Sequence, residues 1–597
     1  MTKLKPYSGS SRKLYACIDV GTTFSGISYC IAEPGLPPEV KGVTRFPAQE
    51  HIGGNAKIPS VLFYSGRGRV KAAGAETLLA DNIEDAEVKG WTKAEWFKLH
   101  LAPQYDGSPW ADRDLPPLPS GMTAQEVFTD FLRYLLSCLQ SFIEQSYPCG
   151  KKLWEYLFDT AAFTLTHPNG WGGPQQEDLR EMAVDAGLVR NHADAVKRVH
   201  FVTEGEASLH FCIHDGIVGR SMQRGQGMIM VDAGGGTIDL SAYSANQTGS
   251  RSSSGTYSEI AASQCVFQGA SYVTQRATDY FLQVFRGSQW EQDVQHMKDV
   301  FDQRTKLTIK NDRDSVTVKF GGSKDVDMTT ALKVRRGAFT IPGKKVAEFF
   351  MPSIGAAYTA ALEQISIAQK RGKTITSVYV VGGFGANELL FSKLRTCLGK
   401  LNIDVCRPDA HTNKAVADGG VLFLLNGRVT ARVSRCTYGV AFCIVYDPDD
   451  REHLRRRDTA FVDPSGVWHV PDAFASILPG NTQVSQEREF RYSFYRNTYK
   501  RLTRFPAVTL QIHEGASLAP KWTDVDEDEF SDLCQIEGDP GLVDCARRMR
   551  NADGDIYWRL EFDVVLRFEL TELQAQIAWF DDHGEERRGK AHIIYNH

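Results

Sequence analysis

LYACIDVGTTFSGISYCI, Leu14–Ile31, holds two runs of β-branched, aromatic and small apolar residues broken by Gly21-Thr22-Thr23. That is the pattern of a β-hairpin. A second stretch, GMIMVDAGGGTIDLSAY, Gly227–Tyr243, repeats it around Gly234-Gly235-Gly236. The two share a frame: Asp19-x-Gly21 followed by Ile27-Ser28, and Asp232-x-Gly234 followed by Leu240-Ser241. The offset, 232 minus 19, is 213 residues, too long for a solenoid repeat and suited to a domain duplicated once. The expectation is a two-lobed α/β unit.

A tight turn rich in glycine and threonine presents consecutive backbone N–H groups, a nest that suits phosphate oxygens. Glycine also lets the backbone approach a ligand closely. In the first hairpin Gly21, Thr22 and Thr23 can supply donors and hydroxyls, and Asp19 at the strand end can hold magnesium through water. The second hairpin offers Asp232, Gly234, Gly235, Gly236 and Thr237, with Asp239 just beyond. The first alone reads equally as a turn with a capping aspartate, whereas three consecutive glycines in the second cost conformational entropy that a merely structural turn rarely needs. Together they suggest a clamp on a phosphate pair and its metal. A third element, Gly382-Gly383-Phe384-Gly385, follows Asp232 by 150 residues (382 minus 232) at a strand-to-helix junction. It fits a nucleoside face or a plain tight turn. No GxGxxG follows a first strand and no GxxxxGK[ST] occurs, which excludes the Rossmann and P-loop readings.

The rest of the chain is that of an ordinary globular protein. Its 597 residues exceed one usual core and predict several domains. Hydrophobic content of 42%, charged content of 24% and a net charge of -5 argue against disorder, nucleic acid and anionic membranes as partners. Twelve cysteines without a CxxC pair read as reduced and buried, Cys17, Cys30, Cys212 and Cys443 among them, with no zinc site. With no signal peptide or apolar span in view, a cytoplasmic or nuclear location is expected.

Thr123 and Glu126 form a capping box opening a helix whose apolar face is Val127, Phe131, Leu135, Leu139 and Phe142. A Pro-rich loop, Leu101–Gly121, precedes it; a second helix is expected from Pro174 to Gly187. Ser244–Thr256 reads as a flexible loop. After Arg428 the texture turns to short alternating strands, clearest where Leu560, Phe562, Val564, Leu566 and Phe568 face one way. The acidic stretch Asp524–Asp532 and the basic stretches Arg455–Arg457 and Lys500–Arg504 read as solvated surface. Glu206, His210 and His214 share a helix face and read as surface residues rather than metal ligands.

ACIDVGTTFSGISY, VDAGGGTIDLSAY and VYVVGGFGANELL resemble, in order, the two phosphate motifs and the adenosine motif of the actin, sugar kinase and heat shock protein 70 superfamily. FVTEGEASLHF and KAVADGGVLFLL resemble its two connecting helices; IPSVLFY and LTHPNGWGGPQQEDLREMAVDAGL are similar to the chaperone-type members, especially the divergent branch typified by member twelve of the vertebrate family. The resemblance implies a two-lobed actin-like ATPase domain of the duplicated ribonuclease H-like kind over 14–427, with lobes of about 14–200 and 201–427. A flexible start, 1–13, would precede it and a smaller β-rich domain, 428–597, would follow as a degenerate, lidless substrate-binding domain.

It implies ATP and Mg2+ as cofactors. Thr22 and Thr23 would touch phosphates, Asp19 and Asp232 would surround the magnesium, and Glu204 would order its water. Gly234 to Thr237 would grip the β- and γ-phosphates, Asp239 would lie by the attacking water, and Gly382 and Gly383 would face ribose and adenine. Gly269 and Lys306 would be further nucleotide contacts. The family lysine that follows Gly-Asp-Ala-Ala is replaced within Gly74-Ala75-Glu76-Thr77-Leu78, which leaves ATP hydrolysis open. Three functions follow: a chaperone-like ATP-binding protein with slow hydrolysis, partnered by unfolded polypeptide; a nucleotide-gated scaffold with a regulatory protein partner; and a small-molecule kinase.

Overall fold

The computed structural model describes residues 4–49, 56–102, 115–218, 225–246, 255–327, 333–408, 414–485, 488–515, 517–569, 572–590 and 592–593. The loop expectations for 103–114 and 247–254, and the side chain of Phe568, lie outside them. The fold is mixed α/β, in two compact units: Met1–Trp171 with Asp178–Val429, and Gly172–Glu177 with Thr430–His597.

The first unit runs β1 (Lys13–Asp19), β2 (Phe24–Ala32), α1 (Ala124–Ser146), β3 (Ala162–His167), β4 (Val199–Thr203), α2 (Glu204–His214), β5 (Gln226–Ala233), β6 (Ile238–Asn246), α3 (Ala270–Phe285), β7 (Thr374–Val381), β8 (Asp404–Cys406) and α4 (Ala415–Asn426), with shorter elements between. One sheet has the order β2-β1-β3-β4; the other contains β6-β5-β7-β8. In each, an antiparallel hairpin is continued by parallel strands from its first strand. The register also repeats: Asp19 stands opposite Gly26 and Asp232 opposite Asp239. Strands covered on both faces read as continuous apolar runs, which is why β1, β3 and β5 are buried nearly throughout.

Two helices cross between the sheets. α2 continues directly from β4 but packs on β5, where Leu209 and Cys212 meet Met228 and Met230. α4 lies against the other sheet, with Val421 beside Cys17 and Ser28 Oγ donating to Asp418 Oδ1 at 2.5 Å. They touch where Gly419 meets the Ala207 carbonyl, so closely that a Cβ there would overlap it. α1 opens with the capping box, Thr123 N–H to Glu126 Oε2 at 2.8 Å and Glu126 N–H to Thr123 Oγ1 at 3.2 Å, and buries Val127, Phe131, Leu135, Leu139 and Phe142. The helix expected from Pro174 spans Gly173–Asp185, and Gly187 beyond it has φ 84°.

The second unit is mainly β among the described residues, with short helices at Arg451–Arg455 and Pro540–Asp544. One sheet joins Phe461–Val462, Trp468–Leu478, Thr437–Val445, Val508–His513 and Phe530–Ile536; the other centres on Glu489–Thr498, Ile556–Glu569 and Glu572–Phe580. Val440, Leu478, Leu510 and Ile536 from the first share a core with Phe490, Leu560, Val564, Leu566 and Ile577 from the second, a face-to-face sandwich.

Two surface expectations are corrected. Arg456 is not free surface charge: it forms a two-pronged pair with Asp524 at 2.7 and 2.8 Å, with its guanidinium carbon 3.9 Å from the Trp522 ring centre. A planar cation that can stack and bridge at once is drawn out of water. Cys443, expected inside, is exposed, because its strand turns alternate residues outward.

Candidate functional site

The two glycine-bearing turns face each other. A Cβ on Gly236 would collide with Thr22 Oγ1 and Leu99 Cδ2, and one on Gly235 with Thr23 Oγ1, so no other residue fits at either position without displacement. α3 fixes the second turn by its N-terminus: Gly269, Ala270 and Ser271 donate their N–H groups to the carbonyls of Gly236, Gly234 and Gly235 at 3.1, 3.1 and 2.8 Å. With those carbonyls held from one side, the N–H groups of Gly235 and Gly236 are left without a hydrogen-bond partner among the described residues, as are those of Thr22 and Thr23. Four free donors at the meeting of two turns make an anion nest. Gly21 is held apart, its N–H given to Ser25 Oγ at 3.1 Å.

Behind the turns lie four buried acids: Asp19 and Asp232 at 3% exposure, Asp239 at 0% and Glu204 at 8%. Burial alone would raise the Asp19 carboxyl, but the neighbouring Lys57 and Lys98 ammonium groups and a hydrogen bond from Thr166 Oγ1 at 2.8 Å hold it below the usual carboxylate range. Asp232 has no such neighbours. Burial and the charge of Glu204 push it well upward, against a single 2.8 Å bond from Ser208 Oγ. The same two causes raise Asp239 to about 7, although Asn169 N–H donates to its Oδ1 at 2.6 Å. Asp239 Oδ2 is buried with no hydrogen-bond partner among the described residues.

Two cations enter this cluster that the sequence reading did not single out. Lys57, on an edge strand, pairs with Asp19 Oδ2. Lys98, 3% exposed in the short helix Phe97–Leu101, donates to Glu204 Oε1 at 2.7 Å. The one local signal for Lys98 is its place between Phe97 and Leu99 in an apolar run; nothing near Lys57 announces its role.

The third glycine element is pinned to the second hairpin. Gly382 has φ 84°, a Cβ there would strike Asp232 Oδ1 and the Ala233 carbonyl, and Phe384 N–H donates to that carbonyl at 2.9 Å. Gly383 faces open space, and Gly269 lies against Gly235 and Gly236. Lys306 is buried at 6% exposure, with its ammonium donating to Asp302, to Thr274 Oγ1 at 3.0 Å and to the Ala270 carbonyl at 3.2 Å. It therefore supports the start of α3 and is not gathered with the acids. Thr237 is buried and its carbonyl accepts from Gly234 N–H at 2.8 Å. A cavity of about 520 Å3 beside the Lys306 turn, lined by Arg304, Thr305, Thr308 and Ile309, contains none of the four acids.

Glu206 and His210 are not on the surface: both are buried, at 3% and 2% exposure, His210 against the Phe423 ring and 3.6 Å from Glu206. α2 is covered by β5 and α4 at once, and a helix covered on several sides shows no polar face from which its exposure could be read.

Fold and site together define a mixed α/β protein in which two like-ordered sheets bring glycine turns and an acid cluster to one place. No family model matches the chain. Heat shock 70 kDa protein 12B of Homo sapiens is 22% identical to it over 569 residues, covering 81% of this chain and 78% of that protein. That likeness supports a distant relationship to the heat shock 70 kDa proteins. No helix among the described residues is long and apolar enough to cross a membrane.

Proposed function

We propose that the first unit is an actin-like ATPase domain that binds ATP with magnesium between its two hairpins, within a chaperone-like protein of slow turnover acting in the cytoplasm. The observation that carries this reading is the nest of free N–H groups on Thr22, Thr23, Gly235 and Gly236, set against four buried acids. Neutral donors suit phosphate oxygens, whereas carboxylates repel them unless a cation lies between. No three acid, histidine or cysteine side chains among the described residues are grouped to hold a metal ion directly, so magnesium would be held largely through water, of which this ion usually keeps several. Asp239 Oδ2 lacks a partner, and Asp232 and Asp239 are pushed toward protonation by burial and then by the charge of Glu204. Asp19 and Asp232 would hold it, with Glu204 ordering its water. When bound it would neutralise phosphate charge. Gly382 and Gly383 would admit the nucleoside, and Asp239 would hold a water near the terminal phosphate. The second unit would receive unfolded polypeptide, and its affinity should change with ATP; equal affinity with and without nucleotide would refute that part.

The other reading is a nucleotide-gated scaffold that binds ATP without turnover. It is favoured by Leu78, which is 54% exposed and brings no cation to the site. Calorimetric titration with ATP and magnesium, alongside single-turnover hydrolysis, decides between them. Wild type should bind and Asp232→Ala should lose about tenfold or more in affinity. Binding without turnover selects the scaffold, and a wild type that binds no ATP ends both readings.

A further inference from the structure

The end of β3 reaches the acids of both hairpins within four residues. Thr166 Oγ1 donates to Asp19 Oδ1 at 2.8 Å, and Asn169 N–H donates to Asp239 Oδ1 at 2.6 Å. β3 belongs to the sheet of the first hairpin, so the second of these bonds passes to the other sheet. The Asn169 side chain follows it. Its amide nitrogen lies 3.1 Å from the Leu240 carbonyl and 3.0 Å from Ser241 Oγ, both on β6, and 3.2 Å from the carbonyl of Gln264, on the short strand Gln264–Val266 that pairs with β6. The two hydrogens of the NH2 group are thus shared among acceptors that all belong to the second sheet.

The surroundings are shaped to this side chain. Asn169 is fully buried, and its Oδ1 has no hydrogen-bond partner among the described residues. A buried acceptor left unpaired is unfavourable, so a residue that only filled the space would be apolar; what asparagine contributes here is its NH2 group. Room for it comes from Gly205 in the first turn of α2, where a Cβ would stand 2.6 Å from Ser241 Oγ and 3.2 Å from both polar atoms of the Asn169 amide. Gly170, the next residue, is pressed against the same short strand: a Cβ on it would lie 2.9 Å from Cys265 Cβ. The loop is therefore seated on the second sheet at Asn169 and Gly170 while Thr166 holds it to the first.

We propose that Asn169 is a bolt between the two sheets: it resists their separation beside Asp239 and so sets how fast a nucleotide enters and leaves the nest, not how tightly it is held. The inference rests on the nucleotide-binding reading above and goes beyond it by naming the residue that governs entry and release. Each hairpin supplies half of the nest, Thr22 and Thr23 from one and Gly235 and Gly236 from the other, so a phosphate gripped there is released as the sheets draw apart. The partners of the bolt are all atoms of the chain, and the same bonds form whether the nest is filled or empty. An interaction of equal worth in both states leaves the balance between them unchanged. The open state, which lacks it, becomes rarer on the way in and on the way out alike.

The test is stopped-flow fluorescence of the full chain with magnesium and ADP carrying a methylanthraniloyl label on its ribose. Asn169→Ala should speed association and dissociation by the same factor, about 10-fold, with Kd held within about twofold. Ser241→Ala, which removes one acceptor, should speed both about threefold and add little to Asn169→Ala in the double variant. A residue that served stability alone would shift the denaturation midpoint and neither rate. Unchanged rates, or a faster dissociation matched by an equal loss of affinity, overturn the proposal. Hydrogen exchange of the nucleotide-free protein reads the bolt by itself: Asn169→Ala should quicken exchange in Gln264–Val266 and β6 and leave α1 as it was. No change, or quickening spread over all three, overturns the bolt. A wild type that binds no nucleotide ends the nucleotide-binding reading and the control of entry and release with it, whereas unchanged rates in a wild type that binds leave that reading intact and end only the role of Asn169.

Discussion

The two hairpins have one backbone and opposite electrostatics. Each places an aspartate at the end of its first strand, seven residues before its cross-strand partner: Asp19 opposite Gly26, Asp232 opposite Asp239. Each sheet then continues in the same order. Yet Asp19 is held acidic by Lys57, Lys98 and Thr166, while Asp232 is driven upward by burial and by Glu204. Two hairpins can share a backbone because hydrogen-bond ladders depend on local pattern. They need not share charge, because charge at a buried point depends on whatever side chains arrive from elsewhere. The first hairpin is therefore a site neutralised by its own cations, and the second an acid-rich one without them.

The comparison can be broken most severely at Lys57. Lys57→Met removes the cation paired with the buried Asp19 and should destabilise the protein by about 3 kcal/mol in chemical denaturation, most of which Asp19→Asn in the same chain should recover. If the single variant unfolds at the wild-type denaturant midpoint, the first hairpin is not held by its cation. The next test concerns pH. The folded Asp239 carboxyl, at about 7, lies above its value near 3.8 in an unfolded chain, so the folded state binds more protons between those values. Stability should then fall as pH rises through that window, and stay low above it. Metal-free protein should lose about 2 kcal/mol more between about pH 5 and about pH 8 than Asp239→Asn does, read from denaturant midpoints. Magnesium should flatten the slope. The smallest effect belongs to Ser208→Ala, which removes the 2.8 Å bond to Asp232 and should cost about 1 kcal/mol while raising the carboxyl further. Calcium or magnesium protection of that variant against thermal unfolding should be weaker than for wild type.

Much of this was legible in the chain before it folded. Asp19, Asp232 and Asp239, the turn residues from Gly21 to Thr23 and from Gly234 to Thr237, and Gly269 and Gly382 come together in the structure, and each was marked by a glycine or an aspartate in a strand-turn-strand setting. Lys57, Lys98 and Thr166 were not marked. They reach their acids from 38, 106 and 147 residues away, and a lysine after an unremarkable loop looks like any other lysine. Lys306, expected as a nucleotide contact, gives its ammonium to Asp302 and to the start of α3, an arrangement that its place in the sequence does not announce. Helical spacing reports which residues share a face, not whether that face is covered, and so cannot show that Glu206 and His210 are buried.

The two glycine-bearing hairpins are thus determined by the sequence itself: continuous apolar runs fix the strands, and the glycines fix turns that only a residue without Cβ can enter. What the tertiary structure decided is the charge state of the acids those hairpins carry. Strand and turn are consequences of neighbours along the chain, whereas the ionisation of a buried carboxyl follows from every charge within several ångströms, and the chain brings those together only by folding.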